Sequence, residues 1–220
     1  VELTSRAATF FSADDQESIR QAVASAEAHT SGEIATMVVD ASDAYHDGTV
    51  RAAVLLAGML ALAVSLALQH STVWFYIPVV FALYVPSHLL SRSVPALCRP
   101  FVSRRRQARA VRERAVRAFY EQGLHRTRAG TGILIFVSLL ERTVWILGDQ
   151  GINARIEPGV WQELAGELSL GIRSGAPGQA MCRTIERCAA LLAEHFPQQG
   201  GDRNELPDTL LFEPPGQEQR

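Results

Sequence analysis

Lysine is missing altogether: the 220 residues carry 21 basic side chains and every one is arginine. That absence excludes a catalytic lysine and fits a biased genomic composition of bacterial type. Cysteine is scarce, and the odd set Cys98, Cys182 and Cys188 has no paired spacing. It offers no disulfide framework and agrees with a reducing compartment. The six histidines show no paired metal spacing, and neither a P-loop, a dinucleotide fingerprint nor His-Glu-x-x-His is present. The first residues lack a basic region followed by an apolar run and a small-residue cleavage site. No signal peptide is therefore expected, and the first apolar helix should act as its own signal. Internal repeats are also lacking.

What the chain does have is a long apolar stretch from Arg51 to Leu90. Ala52 to Leu68 and Val73 to Leu90 are two runs without Asp, Glu, Arg or Lys, separated by Gln69, His70, Ser71 and Thr72. Each is just long enough for a helix to cross a hydrocarbon core of about 30 Å. Helices are required there because a backbone in lipid must satisfy its own hydrogen bonds. The lipid bilayer is thus the expected partner of Ala52 to Leu90. Nine arginines between Arg92 and Arg117 face a single acid, Glu113, after the second run. By the positive-inside rule that side is cytoplasmic. Two crossings return the chain to its starting side, so both termini and the soluble domain are expected in the cytoplasm of a bacterium, on its inner membrane. A juxtamembrane arginine run facing anionic lipid needs no nucleic-acid partner.

Residues 1–50 then read as the first part of a domain, 51–90 as a transmembrane hairpin, 91–197 as the second part, and 198–220 as an extended or disordered tail in which Leu206 and Pro207 could dock. Ser12 with Asp15 forms a capping box before a helix ending near His29. Glu33 to Val39 and Gly132 to Leu139 are apolar without strict alternation, the pattern of strands covered on both faces. Arg142 to Leu147 is a third strand, antiparallel to the second across a tight turn. The long connection between the first two implies a right-handed parallel crossover. Val111, Ala115, Ala118 and Phe119 trace one helical stripe, and helices follow from Pro158 and Pro177, the last stopped by Pro197. The fold class is α/β: a small mixed sheet with helices on both faces, interrupted by an inserted transmembrane hairpin.

These landmarks resemble the TPM domain, also called the TPM phosphatase domain. The resemblance is carried by Thr30-Ser31-Gly32-Glu33-Ile34, the run Gly132 to Arg142, Asp149-Gln150-Gly151-Ile152, Trp161, Phe196-Pro197 and Asn204-Glu205-Leu206-Pro207-Asp208. It implies an α/β sandwich and, in some members, acid phosphatase activity or cation binding, while others are accessories of membrane complexes. This chain departs by placing a hairpin within the crossover, and by Gly130-Thr131-Gly132 where soluble relatives carry an acidic turn.

Because the third strand is antiparallel, its end at Asp149 lies at the sheet edge where the others start. Thr30, Glu33, Thr131 and Asp149 are expected to converge there. Two carboxylates with hydroxyl and carbonyl oxygens suit Ca²⁺ or Mg²⁺. The alternative is that Thr30 and Asp149 cap turns and Glu33 pairs with an arginine. At the opposite edge, Asp40 and Asp43 occupy the place where open α/β sheets bind ligands and an aspartyl-phosphate mechanism would set its nucleophile; since no second-strand partner but Ser138 follows, a solvated acidic linker into the membrane is the preferred reading. Cys98 to Arg104 has the spacing of a thiolate phosphatase, but Pro100 and the lack of glycine deny it a loop of free amides. Two functions stay open: a cytoplasmic-face binding module for an unidentified membrane protein, or a metal-dependent phosphatase of phosphomonoesters.

Overall fold

The computed structural model describes residues 6–69, 72–127, 130–197 and 209–212. The chain divides into two compact units, one made of Val1–Ser42 and Ala108–Arg220 and the other of Asp43–Gln107. His70, Ser71, Leu206, Pro207 and the motif from Asn204 to Asp208 lie outside the described residues.

The first unit is built on a sheet whose two inner strands, β1 (Glu33–Val39) and β2 (Gly132–Ser138), are buried at every position. They pair in parallel, Glu33 opposite Gly132 and Val39 opposite Ser138. Strand β3 (Thr143–Gly148) runs antiparallel to β2. Alternation along each strand divides the apolar side chains between two cores. Ile34, Val38, Ile133, Ile135, Val137 and Ile146 share one core with helices α2 (Ala13–Glu27), α7 (Pro158–Arg173) and α8 (Pro177–His195). Ala35, Met37, Val39, Leu134 and Phe136 share the other with Val111, Ala115, Ala118 and Phe119 of α5 (Arg104–Glu121). The sheet therefore has helices on both faces, and its uniformly apolar strands follow from that double burial.

Caps and prolines set the helix ends. At α2 the Ser12 Oγ accepts the Asp15 amide at 3.1 Å and the Asp15 carboxylate accepts the Ser12 amide at 3.1 Å, a complete capping box. Pro158 and Pro177 open α7 and α8, where a missing amide costs nothing.

Three details differ from the sequence expectation. A short helix α1 (Arg6–Phe10) precedes α2. The third strand starts one residue later than expected, because Arg142 adopts a left-handed φ of 53° in the turn. The segment expected to be an unstructured tail contributes strand β4 (Leu211–Phe212), parallel to β1 with Met37 opposite Leu211. It supplies the fourth strand in the order β3-β2-β1-β4, and Leu210 beside it is buried. The apolar trio Leu210 to Phe212 drives this docking; the polar neighbours mask it in the sequence.

The second unit contains α3 (His46–Ala67) and α4 (Val73–Ser93), each about 30 Å long at 1.5 Å per residue and apolar enough to cross a membrane. Ala53, Ala57, Ala61 and Ser65 recur every fourth residue and are buried, as are Ser87 and Ser91 of α4. Small residues at such spacing let two helices approach closely. The Tyr76 hydroxyl donates to the Gly58 carbonyl at 3.2 Å between the helices. Large apolar side chains point outward instead: Met59, Leu66, Trp74 and Phe81 are each at least 70% exposed.

Candidate functional site

The expected site residues flank the sheet edge formed by the starts of β1 and β2 and the end of β3. Glu33 opens β1 and is buried, and its amide donates to the Thr131 carbonyl at 3.2 Å. The Asp149 amide donates to the Gly132 carbonyl at 2.9 Å, fixing the end of β3 beside the start of β2. Thr131 Oγ1 donates to the Ser31 carbonyl at 2.8 Å, and Thr30 Oγ1 accepts the Gly32 amide at 3.0 Å. Both hydroxyls thereby shape the loop ahead of β1. Thr30 also forms an isolated antiparallel bridge with Pro197, and the Ser31 amide donates to the Phe196 carbonyl at 3.2 Å.

Asp149 is the cap of the four-residue helix α6 (Gln150–Asn153), its Oδ1 accepting the Gln150 amide at 2.7 Å. Behind it, Trp161 Nε1 donates to Asn153 Oδ1 at 3.1 Å and Asn153 Nδ2 donates to the Gly148 carbonyl at 2.6 Å. The loop ahead of β2 comes close as well: Asp149 Oδ2 lies 3.6 Å from where a Cβ on Gly130 would stand, and Gly130 has a left-handed φ of 64°. Gly132 is needed for a different reason, since its Cβ would come within 2.6 Å of the Leu124 carbonyl oxygen. Among the described residues no three His, Cys, Asp or Glu side chains cluster as a metal-holding group. Any cation here would depend on Glu33 and Asp149 with oxygens of the threonines and backbone.

The opposite edge holds an arrangement the sequence did not announce. Ser42 Oγ donates to Ser138 Oγ at 2.9 Å, Ser138 Oγ donates to Glu141 Oε2, and the Ser42 amide donates to Glu141 Oε1 at 3.0 Å. All three residues are buried. The available signal was Ser138-Leu139-Leu140-Glu141, which returns a carboxylate across a tight turn to the residue that ends β2. Asp40, expected as an aspartyl-phosphate candidate or part of an acidic linker, instead caps α1: its carboxylate accepts the Arg6 amide at 3.2 Å and the Ala7 amide at 2.5 Å. Those bonds commit it to structure.

In the second unit Asp43 and Asp47 pair with Arg106, at 3.6 and 2.7 Å. Cys98 sits buried between two 3₁₀ turns, Pro95–Leu97 and Arg99–Phe101. The amides of Cys98, Phe101 and Val102 donate to the carbonyls of Pro95, Cys98 and Arg99, so these three are spent within the turns and are not offered to an anion. The other thiols are equally unsuited to nucleophilic work. Burial pushes Cys188 up to about 12, and burial with the nearby Glu186 and Asp15 charges raises Cys182.

Residues 101–191 match the family model described as TPM domain. Over those residues the chain is similar to a TPM domain. Within the matched span lie α5, β2, β3, α6, α7 and most of α8, and with them Gly132, Asp149 and Trp161. Strand β1 lies before the hairpin, outside the matched residues. A solved structure, that of BA42 protein from the psychrophilic bacterium Bizionia argentinensis, is similar to the chain with a TM-score of 0.58. It is 21% identical, and the match covers 93% of this chain and 96% of that one. At that identity the likeness speaks to the fold. No curated protein matches the chain.

Proposed function

We propose that this protein is a membrane-anchored TPM-domain protein, held in a bacterial inner membrane by Ala52 to Leu90, and that its domain is a cytoplasmic-face binding module for membrane proteins or complexes. The observation that carries the anchor is the outward apolar surface of α3 and α4, where Met59, Leu66, Trp74 and Phe81 are largely exposed. Lipid tails are the solvent in which such a surface is at rest. The binding role is supported by how the domain uses its polar groups: Ser42, Ser138 and Glu141 are committed to one buried set of hydrogen bonds and Asp40 to capping α1.

Photo-crosslinking from Tyr120 and Leu170, the two large apolar residues most exposed among the described residues of the first unit, tests this role. Discrete crosslinked membrane proteins are expected from cells; crosslinks to nothing but lipid or the chain itself would remove the binding module.

The second reading is a metal-dependent phosphatase using Glu33 and Asp149 with Thr30 and Thr131. It is supported by the backbone bonds from Glu33 to Thr131 and from Asp149 to Gly132, which set the starts of β1 and β2 beside the end of β3. Ca²⁺ or Mg²⁺ would be the cation, with carboxylate and hydroxyl oxygens as ligands. Turnover of a generic phosphomonoester that is lost on Glu33→Gln would establish it in place of the binding module.

A further inference from the structure

Three arginines occupy the first turn of α5, Arg104, Arg105 and Arg106. A helix N-terminus carries partial positive charge and unpaired amides, so cations there oppose the macrodipole and anions relieve it. A sequence that breaks a local rule without internal compensation marks a place where function has intervened. Compensation exists for one of the three: Arg106 Nη1 donates to Asp47 at 2.7 Å, its Nη2 lies 3.6 Å from Asp43, and Asp47 holds it more firmly charged. These are the two acids of the unit, set against six arginines, Arg51, Arg92, Arg99, Arg104, Arg105 and Arg106. Arg104 and Arg105 are exposed and have no acidic partner among the described residues.

The positions of these charges in the unit are ordered. Arg51 lies one turn into α3, Arg92 lies in the last turn of α4, and the Arg51 guanidinium donates to the Phe101 carbonyl at 3.2 Å, which brings the 3₁₀ turn beside the start of α3. The surplus charge therefore gathers at the open end of the hairpin. The closed end, Gln69 to Thr72, has neither acid nor arginine and is followed by Trp74 and Tyr76.

We propose that Arg104 and Arg105, with Arg92, form a binding surface for the phosphate groups of anionic phospholipids in the leaflet at the open end of the hairpin. Phospholipid is the occupant chosen because the same unit offers an uncovered apolar surface for the acyl chains beside cations for the headgroup. Guanidinium suits this ligand by donating two parallel hydrogen bonds to one phosphate. Arg106, spent on Asp43 and Asp47, is excluded from the surface. The inference rests on the membrane-anchored reading and extends it to a lipid class.

The test uses the full chain reconstituted into phosphatidylcholine vesicles containing a minority of phosphatidylglycerol. The chain is extracted with its surrounding lipid in a copolymer disc, and the two headgroups are quantified. Enrichment of phosphatidylglycerol over the bulk by about two- to fivefold is expected, in keeping with the attraction of a juxtamembrane arginine for anionic lipid. The double substitution Arg104→Gln with Arg105→Gln should return the ratio to bulk, Arg106→Gln should leave it enriched, and excess inorganic phosphate should not displace the lipid. A bulk ratio around the unaltered chain, while the chain resists carbonate extraction, overturns the lipid surface and spares the anchor. Release of the chain by carbonate overturns the anchor and the lipid surface with it. Equal loss of enrichment in the Arg106 variant contradicts the assignment of residues.

Discussion

The Glu141 carboxylate accepts the backbone amide of Ser42 at 3.0 Å, joining residues 99 positions apart in the sequence. Ser42 is the last residue of the first unit before the chain enters the second. The turn after β2 thereby fixes the residue at which the first unit breaks off, and Ser138 completes the buried link.

Removing that carboxylate should leave the Ser42 amide and the Ser138 hydroxyl buried without their acceptor. Glu141→Ala is expected to cost about 1–3 kcal/mol, and Glu141→Gln less because one acceptor oxygen remains. Thermal unfolding of the full chain in detergent reads both. Equal melting temperatures for all three proteins would show that the link contributes nothing.

Gly132 begins β2 under the Leu124 carbonyl, with 2.6 Å between that oxygen and a would-be Cβ. The obstacle is backbone and cannot rotate away. Gly132→Ala should therefore lower stability by about 1–3 kcal/mol as the strand shifts to make room. A variant with unchanged melting temperature would mean that the loop ahead of β2 yields freely.

Much of this was legible in the residues. The uniformly apolar stretches at Glu33 and Gly132 fixed the two inner strands because both of their faces are covered, and Ser12 with Asp15 marked the start of α2 through a local motif. That the end of β3 at Asp149 lies beside the start of β2 followed from strand direction alone. What stayed hidden depended on tertiary contact. Leu211 and Phe212 are too short a run to read as a strand until β1 is there to pair with. The role of Asp40 as a cap needs α1, 33 residues earlier, to be folded beside it. Ser42 and Glu141 meet only because the strands are parallel and in register.

Cys188 supplies a pH test. Burial raises its thiol from 9.0 to about 12 in the folded chain. The native state thus keeps a proton that the unfolded chain releases. The stabilisation this residue provides over Cys188→Ala is whole below pH 9 and is lost as pH rises through about 12, at about 1.4 kcal/mol per pH unit. Denaturation curves of the two proteins at increasing alkaline pH should converge. A constant gap would show that Cys188 ionises as freely folded as unfolded.

Asp149→Asn separates capping from cation binding, because asparagine caps a helix as well as aspartate does. A cation held by Glu33 and Asp149 should stabilise the unaltered chain by about 2.7 kcal/mol at a hundred times its Kd, and the variant should lose that gain while keeping its metal-free stability. Melting curves with and without Ca²⁺ or Mg²⁺ decide. Identical curves for the unaltered chain would leave Asp149 a cap alone.

The central claim is that α3 and α4 cross the membrane with the TPM domain on the cytoplasmic side. It is tested most directly by labelling introduced cysteines with a membrane-impermeant thiol reagent in intact spheroplasts. Thr72→Cys, between the helices, should label from outside, whereas Tyr120→Cys on the domain should label only after lysis. Labelling of the domain position in intact cells, or of Thr72→Cys only after lysis, would contradict the account.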